Sequence, residues 1–298
     1  MRPPEAAPRR KAAATLGAAG ATWFVTALLG QILFGAYVAM FYVGSALQGR
    51  WEDWNKVFPK GHIPGATASN LAVAAHVGLA LLILGAGPLQ LLPGIRKRFP
   101  SFHRWTGRAY LGAMVSTSLA GLYLVWVRGG TVGDLSMHLG ISLDALLILA
   151  FSWMALSTAR AGRFDAHRRW ALRLYLVGLA VWFFRITFSL WLLIHQRPVG
   201  FDPRTFTGPF PTVMAFAQTI VPLALLEVYL RARDRGGVAA RYAAAGLLGV
   251  LTLLTAAGSF AALLILWKPR MAPSPRLQAQ QPGLVLHRDP QGLGLLQL

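Results

Sequence analysis

Four histidines stand at intervals that could set imidazoles in pairs inside an apolar protein: His76, His103, His138 and His167. Two of them open stretches that nearly repeat each other. His103-Arg-Trp-Thr-Gly-Arg-Ala-Tyr-Leu111 is echoed by His167-Arg-Arg-Trp-Ala-Leu-Arg-Leu-Tyr-Leu176, so Trp105, Arg108, Tyr110 and Leu111 recur as Trp170, Arg173, Tyr175 and Leu176. The other two begin His-x-Gly motifs, His76-Val-Gly78 and His138-Leu-Gly140, near the start of apolar runs. Two facing imidazoles can ligate an iron porphyrin axially, and bis-ligated iron with no open position favours electron transfer. Zinc is the poorer match. Two histidines per site, with no cysteine or carboxylate cluster nearby, fall short of its usual four ligands.

The elements that must position these groups are membrane helices. Hydrophobic residues make up 55% of the chain and charged ones 13%, against roughly a quarter charged in soluble domains. The net charge of +19 sits largely in short connectors between apolar runs. There it reads as a topology signal and a headgroup contact, not as a nucleic-acid surface. With no cysteine, disulfides, iron–sulfur clusters, thiolate-ligated haem and covalent c-type attachment are excluded. The excess of arginine over lysine and the abundance of alanine suggest a bacterial source.

Apolar segments near 17–46, 70–93, 105–127, 136–158, 170–195, 210–231 and 239–267 each meet the length of about 20 residues that a span needs. The first exceeds the ~7–15 residues of a signal-peptide core and reads as a retained helix. The expected fold class is therefore all-α, a polytopic membrane helix bundle of about seven transmembrane helices. Its centre is a four-helix core over 70–195, made of a tandem two-helix repeat. A basic segment, 1–16, precedes the first helix. An external interfacial connector, 47–69, carries Trp51, Trp54, Phe58 and His62. Two further helices lie within 196–267, and 268–298 reads as a flexible, proline-containing tail.

Arginine and lysine cluster between the second and third segments (Arg96, Lys97, Arg98), the fourth and fifth (Arg160, Arg163, Arg168, Arg169) and the sixth and seventh (Arg231, Arg233, Arg235, Arg241). The positive-inside rule then places the N-terminus in the cytoplasm of a bacterial inner membrane. On that topology His76 and His138 form an outer pair, and His103 and His167 an inner one. The run from His76 to Leu92 covers ~24 Å, most of the ~30 Å hydrocarbon core, so two sites are needed. Gly78, Gly85, Gly87, Gly107, Gly112, Gly121 and Gly140 could make room for a porphyrin. Arg104, Arg108, Arg168 and Arg173 could receive its propionates, since guanidinium matches carboxylate geometry. One condition attaches to the inner site: His167 stands one residue out of step with the Trp/Arg/Tyr register and must still reach the depth and face of His103.

Asp144 lies ~12 Å and Arg185 ~15 Å below the outer ends of their segments. Intramembrane charges find partners, and a buried ion pair between them is the expectation. The alternative gives Arg185 a propionate or anionic substrate and Asp144 a proton-relay role. Glu227 is expected to pair with Arg231 at i, i+4. His62, His195 and His287 read as loop or interfacial residues.

The run from His76 through Tyr175 resembles a bacterial membrane family, domain-of-unknown-function family 2306. The resemblance rests on His76 with Gly87-Pro88-Leu89-Gln90, on His103-Arg-Trp-x-Gly-Arg-x-Tyr110, and on Ala166-His-Arg-Arg-Trp170 with Arg173. It implies an architecture and little chemistry. The order of histidines on four successive helices is also similar to the transmembrane cytochrome b561 class. That similarity implies two b haems, one on His76 and His138 and one on His103 and His167, passing electrons across the membrane as a transmembrane oxidoreductase. A quinone or a small-molecule reductant would be the partner, alongside membrane lipids. This chain departs from that class in its shorter intervals, its seventh helix and its lack of an ascorbate-site signature. A non-haem transporter, or a structural or lipid-interacting protein, is the alternative function.

Overall fold

In a hydrocarbon core no water is present to pair with the backbone, so each crossing segment must satisfy its own N–H and C=O groups, as a helix does. The computed structural model describes residues 6–129 and 132–271, and these are helices and their connections, with no strand among the described residues. Helix α1 (Ala6–Val38) passes through a π-turn (Ala39–Val43) into α2 (Gly44–Leu47). A 3-10 turn (Trp51–Lys56) precedes α3 (Thr67–Leu91), α4 (Pro93–Arg98) and α5 (Pro100–Tyr123), which ends in a second π-turn (Leu124–Arg128). Next come α6 (Leu135–Arg160), α7 (Phe164–Val177), α8 (Ala180–His195), α9 (Pro209–Arg235) and α10 (Val238–Ala262). A third π-turn (Leu263–Trp267) and α11 (Lys268–Met271) complete the described chain.

Among the described residues six helices are long and apolar enough to cross a membrane, and a seventh span results if α7 and α8, bent by 47°, count as one. The protein is an integral membrane protein. Two boundaries differ from expectation. The first helix begins at Ala6, so the basic residues Arg9, Arg10 and Lys11 are helical. The segment expected to run unbroken over 170–195 starts earlier and bends at Gly178 and Leu179. Gly178 stands at the bend, where a Cβ would lie 2.5 Å from the methyl of Met114 on α5, a flexible side-chain end that could shift, and 3.2 Å from the carbonyl oxygen of Leu174. Most of the expected tail, and His287 with it, falls outside the described residues.

Around the bend burial is nearly continuous. Leu174, Tyr175, Leu176, Val177, Leu179, Ala180 and Trp182 are all buried. The bend thus lies within the bundle, although Val181 beside it is half exposed. Helix α5 packs against α3 and α6, and α6 packs against α7. Tyr175 of α7 closes the ring on α3, where a Cβ at Gly87 would meet its edge at 3.3 Å and that of Tyr110 at 3.1 Å. Helices α3 and α6 thus stand on opposite sides of the core, as do α5 and α7. Helices α1, α9 and α10 pack outside this ring. Large apolar side chains such as Leu29, Trp153 and Leu253 face outward, the pattern of a surface whose solvent is lipid.

Helices α3, α6 and α9 end where α5, α7 and α10 begin, which gathers the arginine clusters at one end of the bundle, the basic end. At the far end Arg128 holds the connector in place. It donates to the carbonyls of Lys60 (3.0 Å) and Gly61 (3.3 Å), to Asn70 Oδ1 (3.1 Å) and to Ser69 Oγ. Lys60 Nζ returns a bond to the carbonyl of Gly129 at 3.1 Å. Trp54 is buried and donates to the carbonyl of Tyr42 at 3.0 Å.

Candidate functional site

His103 and His167 occupy the same place on their helices. Helix α5 starts at Pro100 and α7 at Phe164, which makes each histidine the fourth residue of its helix. The main-chain N–H of each bonds to the residue just before the helix, Phe99 and Arg163 respectively. Counted from the helix start the two histidines stand level, but within continuous helix the one-residue slip remains and turns one histidine by about 100° relative to the shared Trp/Arg/Tyr register. The two side chains are close enough to act on each other electrostatically, and Arg96 and Arg104 act on His103 as well.

The ring nitrogens of this pair differ. His167 Nδ1 lies 2.9 Å from the carbonyl oxygen of Ala155. A carbonyl only accepts, so Nδ1 carries the proton and Nε2 keeps its lone pair. That is the tautomer metal-binding histidines adopt, with the second nitrogen donating to a carbonyl or carboxylate. His103 faces Gln90 of α3. The direction of an amide is settled by its hydrogen-bond partners. With Gln90 Nε2 toward His103 it donates to Nδ1 (3.1 Å) and to the main-chain carbonyl (3.2 Å), while Oε1 accepts from Gly107 N (3.3 Å) and Thr106 Oγ1 (2.6 Å). His103 Nδ1 then accepts, and its proton rests on Nε2.

The outer histidines are less symmetric. His76 is the tenth residue of α3 and His138 the fourth of α6. On α5, His76 lies beside Gly121, where a Cβ would be 3.6 Å from its Cε1, and His138 packs edge-on to Trp126 with ring centroids 6.1 Å apart. Gly121 and Trp126 are separated by ~7.5 Å along the helix, so the two histidines are not level. His76 Nδ1 is buried with no hydrogen-bond partner. Its ring sits by the main chain of Thr117, and the charge of Arg185 reaches it.

Between the inner and outer histidines the core is filled. Ile83, Tyr110, Ala113, Met114, Leu174 and Val177 form one buried cluster. Tyr175 beside it exchanges hydrogen bonds with Gln31 of α1: Gln31 Nε2 donates to the hydroxyl (2.8 Å) and the hydroxyl donates to Oε1 (3.1 Å). Gln31 is 1% exposed and was not among the residues expected to matter. The glycines expected to make room divide into two groups. A Cβ on Gly78, Gly85 or Gly112 would meet nothing within 4 Å, and these residues are exposed; Gly87, Gly107, Gly121 and Gly140 lie against Tyr110, Gln90, His76 and Ala215. The second group seats side chains and a neighbouring helix rather than open space.

The arginine motif is also used twice. Arg108 stacks over Trp105 at 4.9 Å and Arg173 over Trp170 at 4.7 Å. Arg173 is further tied to Glu227 of α9, at 2.8 Å from Nε and 2.6 Å from Nη2. Glu227 therefore pairs across helices, not with Arg231 as expected, because α9 packs against α7 and presents it there. Arg168 and Arg104 stand at the basic end, where Arg104 donates to Ser101 Oγ at 3.0 Å.

The expected ion pair of Asp144 with Arg185 does not form. Asp144 Oδ1 accepts from Thr219 Oγ1 of α9 at 2.8 Å. Arg185 lies over the Phe34 ring of α1 at 5.2 Å and donates to the carbonyl of Val181 at 3.4 Å. Equal depth was not enough: Asp144 is turned toward Thr219 of α9, while Arg185 is turned toward Phe34 of α1. His195 stacks on Trp191 with centroids 3.9 Å apart, and His62 is fastened through its main chain to Asn55.

Among the described residues no group of three or more histidines, cysteines, aspartates or glutamates could hold a metal ion. Residues 73–206 match a family described as Predicted membrane protein (DUF2306). No curated protein and no solved structure matches the chain.

Proposed function

We propose that this protein is a transmembrane electron carrier of the b-haem type. The observation that carries the reading is the inner pair: two histidines at the same helical position on opposite helices, close enough to interact, one already in the ligand tautomer. Bundle cores with facing ligands are a usual setting for such a cofactor. Haem would supply reversible one-electron iron chemistry. His103 and His167 would hold the inner group, and His76 with His138 the outer one. The inner donors fit better than the outer pair, whose depths differ. For His103 to ligate through Nε2 its proton would sit on Nδ1, and the amide of Gln90 would turn over so that Oε1 accepts a hydrogen bond from Nδ1–H. Arg108 is the better propionate partner on the basic side, since Arg173 is engaged by Glu227. On the far side Arg185 has no carboxylate partner among the described residues, and its charge reaches His76. An unpaired intramembrane cation calls for an acidic group, which a propionate would provide. The N-terminus would face the cytoplasm, and a quinone or small reductant would exchange electrons with the core.

The test is the reduced-minus-oxidised optical spectrum of full-length protein from cells supplied with haem. Haem bands are expected, with roughly half of the bound haem lost in His103→Ala and in His167→Ala and the remainder lost when His76 is also replaced. A colourless native protein overturns the reading.

A further inference from the structure

A cavity of about 470 Å³ lies between α1, α7, α8, α9 and α10, with Leu91 at the end of α3 also in its lining, and none of the four paired histidines lines it. Its volume falls within the ~300–1,000 Å³ of small-molecule sites. One wall is a continuous stripe of α9 running from Met214 through Val221 to Tyr229. The stripe is ~22 Å long at 1.5 Å per residue, longer than the ~15 Å half-thickness of the hydrocarbon core. The lining is almost wholly aliphatic and aromatic. Val221 on α9 and Leu254 on α10 line the cavity yet are each 50% exposed, so the space between these helices is open to the bilayer. A long, dry slot open to lipid selects a hydrocarbon chain.

The basic end of the slot adds a charge. Tyr229 closes it against Gly20 of α1, where a Cβ would lie 3.4 Å from the tyrosine hydroxyl. One turn on, Arg233 stacks over the Tyr229 ring at 5.8 Å. Its Nε is taken by Asp234 at 2.8 Å and its Nη1 is buried beside the Tyr229 side chain, which leaves Nη2 for a further acceptor. Arg231 beside it is exposed. Basic pockets between membrane helices are where acidic lipid headgroups bind. We propose that the cavity takes one acyl chain of an anionic phospholipid from the leaflet at the basic end, with its phosphate held by Arg233. Of the helices that carry the paired histidines only α7 and the last residue of α3, Leu91, take part, and the site stands whether or not haem is bound.

Full-length protein in detergent is titrated with phosphatidylglycerol brominated on one acyl chain, and in parallel with brominated phosphatidylcholine. Trp23 lines the cavity and bromine quenches its fluorescence on contact. Stronger quenching by phosphatidylglycerol is expected, with the excess absent in Trp23→Phe. In Arg233→Gln the apparent affinity for phosphatidylglycerol should fall about tenfold, as expected for loss of a hydrogen bond to a charged group. Filling the slot with Ala217→Phe, or with Leu251→Phe if that variant does not fold, should suppress quenching by both lipids. Equal quenching by the two lipids overturns the proposal. So does an excess that survives in Trp23→Phe or in Arg233→Gln.

Discussion

Asp144 and Arg185 each lie deep in a span, and each has found a neutral companion: a threonine hydroxyl for the acid, an aromatic face and a main-chain carbonyl for the base. This separates two outcomes of one substitution. Asn keeps an oxygen that can accept from Thr219, so Asp144→Asn should shift unfolding stability in detergent by less than about 1 kcal/mol. Breaking a buried ion pair instead costs about 3–5 kcal/mol, and a loss of that size would mean that Asp144 faces Arg185 after all. Depth could be counted from the sequence, because 1.5 Å per residue along a span is nearly invariant. Direction could not. Which neighbour a side chain meets depends on how whole helices pack, and Glu227 shows the same limit. A partner at i+4 was available, yet Arg173 on α7 presents the closer guanidinium. Gln31 was missed for a related reason. A single polar residue in an apolar run carries no mark of the tyrosine it will meet on another helix.

At the scale of the helix, close approach is set by where side chains are lacking. Gly258 on α10 sits against the main chain of α8, so that a Cβ would lie 2.8 Å from the carbonyl oxygen of Ile186. Gly246 on the same helix has nothing within 4 Å of such an atom. Gly258→Ala should therefore lower stability by about 1–3 kcal/mol, the cost of overpacking, whereas Gly246→Ala should be neutral or slightly stabilising through helix propensity. Thermal unfolding of the two variants side by side checks this, and equal effects would deny that α8 and α10 touch at Gly258. Span number and connector positions were legible because apolar length and arginine clusters are local. The 47° bend was not. Glycine is common inside membrane helices, and nothing in the chain between Trp170 and His195 announces that Met114, far away in sequence, will press against Gly178. For the inner histidines the helix starts at Pro100 and Phe164 equalise depth, while the one-residue offset from Trp105 and Trp170 stays as a difference in face.

For the molecule as a whole, the arginine-rich connections share one end and the Arg128-clamped connector lies at the other. A chain with no cysteine is its own background for mapping these faces. Glu52 and Lys97 are exposed on the far and basic ends respectively. With the N-terminus in the cytoplasm, Glu52→Cys should react with an impermeant maleimide in intact cells, and Lys97→Cys only after permeabilisation; the reverse pattern would invert the proposed orientation. The overall architecture, helical and multi-pass, was readable from hydropathy alone. The cavity among α1, α7, α8, α9 and α10 was not, since it is bounded by helices distant in sequence whose apolar faces look, one at a time, like ordinary lipid-facing surface.

Three π-turns among the described residues each close a span that runs from the basic end to the far end: Ala39–Val43 after α1, Leu124–Arg128 after α5 and Leu263–Trp267 after α10. A wider turn accommodates one residue more than regular helix would. Beyond it, side chains are advanced by roughly 100° about the axis. The far rim of the bundle therefore works like a set of expansion joints. A residue gained or lost at any of these turns re-aims Phe41, Arg128 or Trp267, while everything nearer the basic end, including both inner histidines, keeps its place.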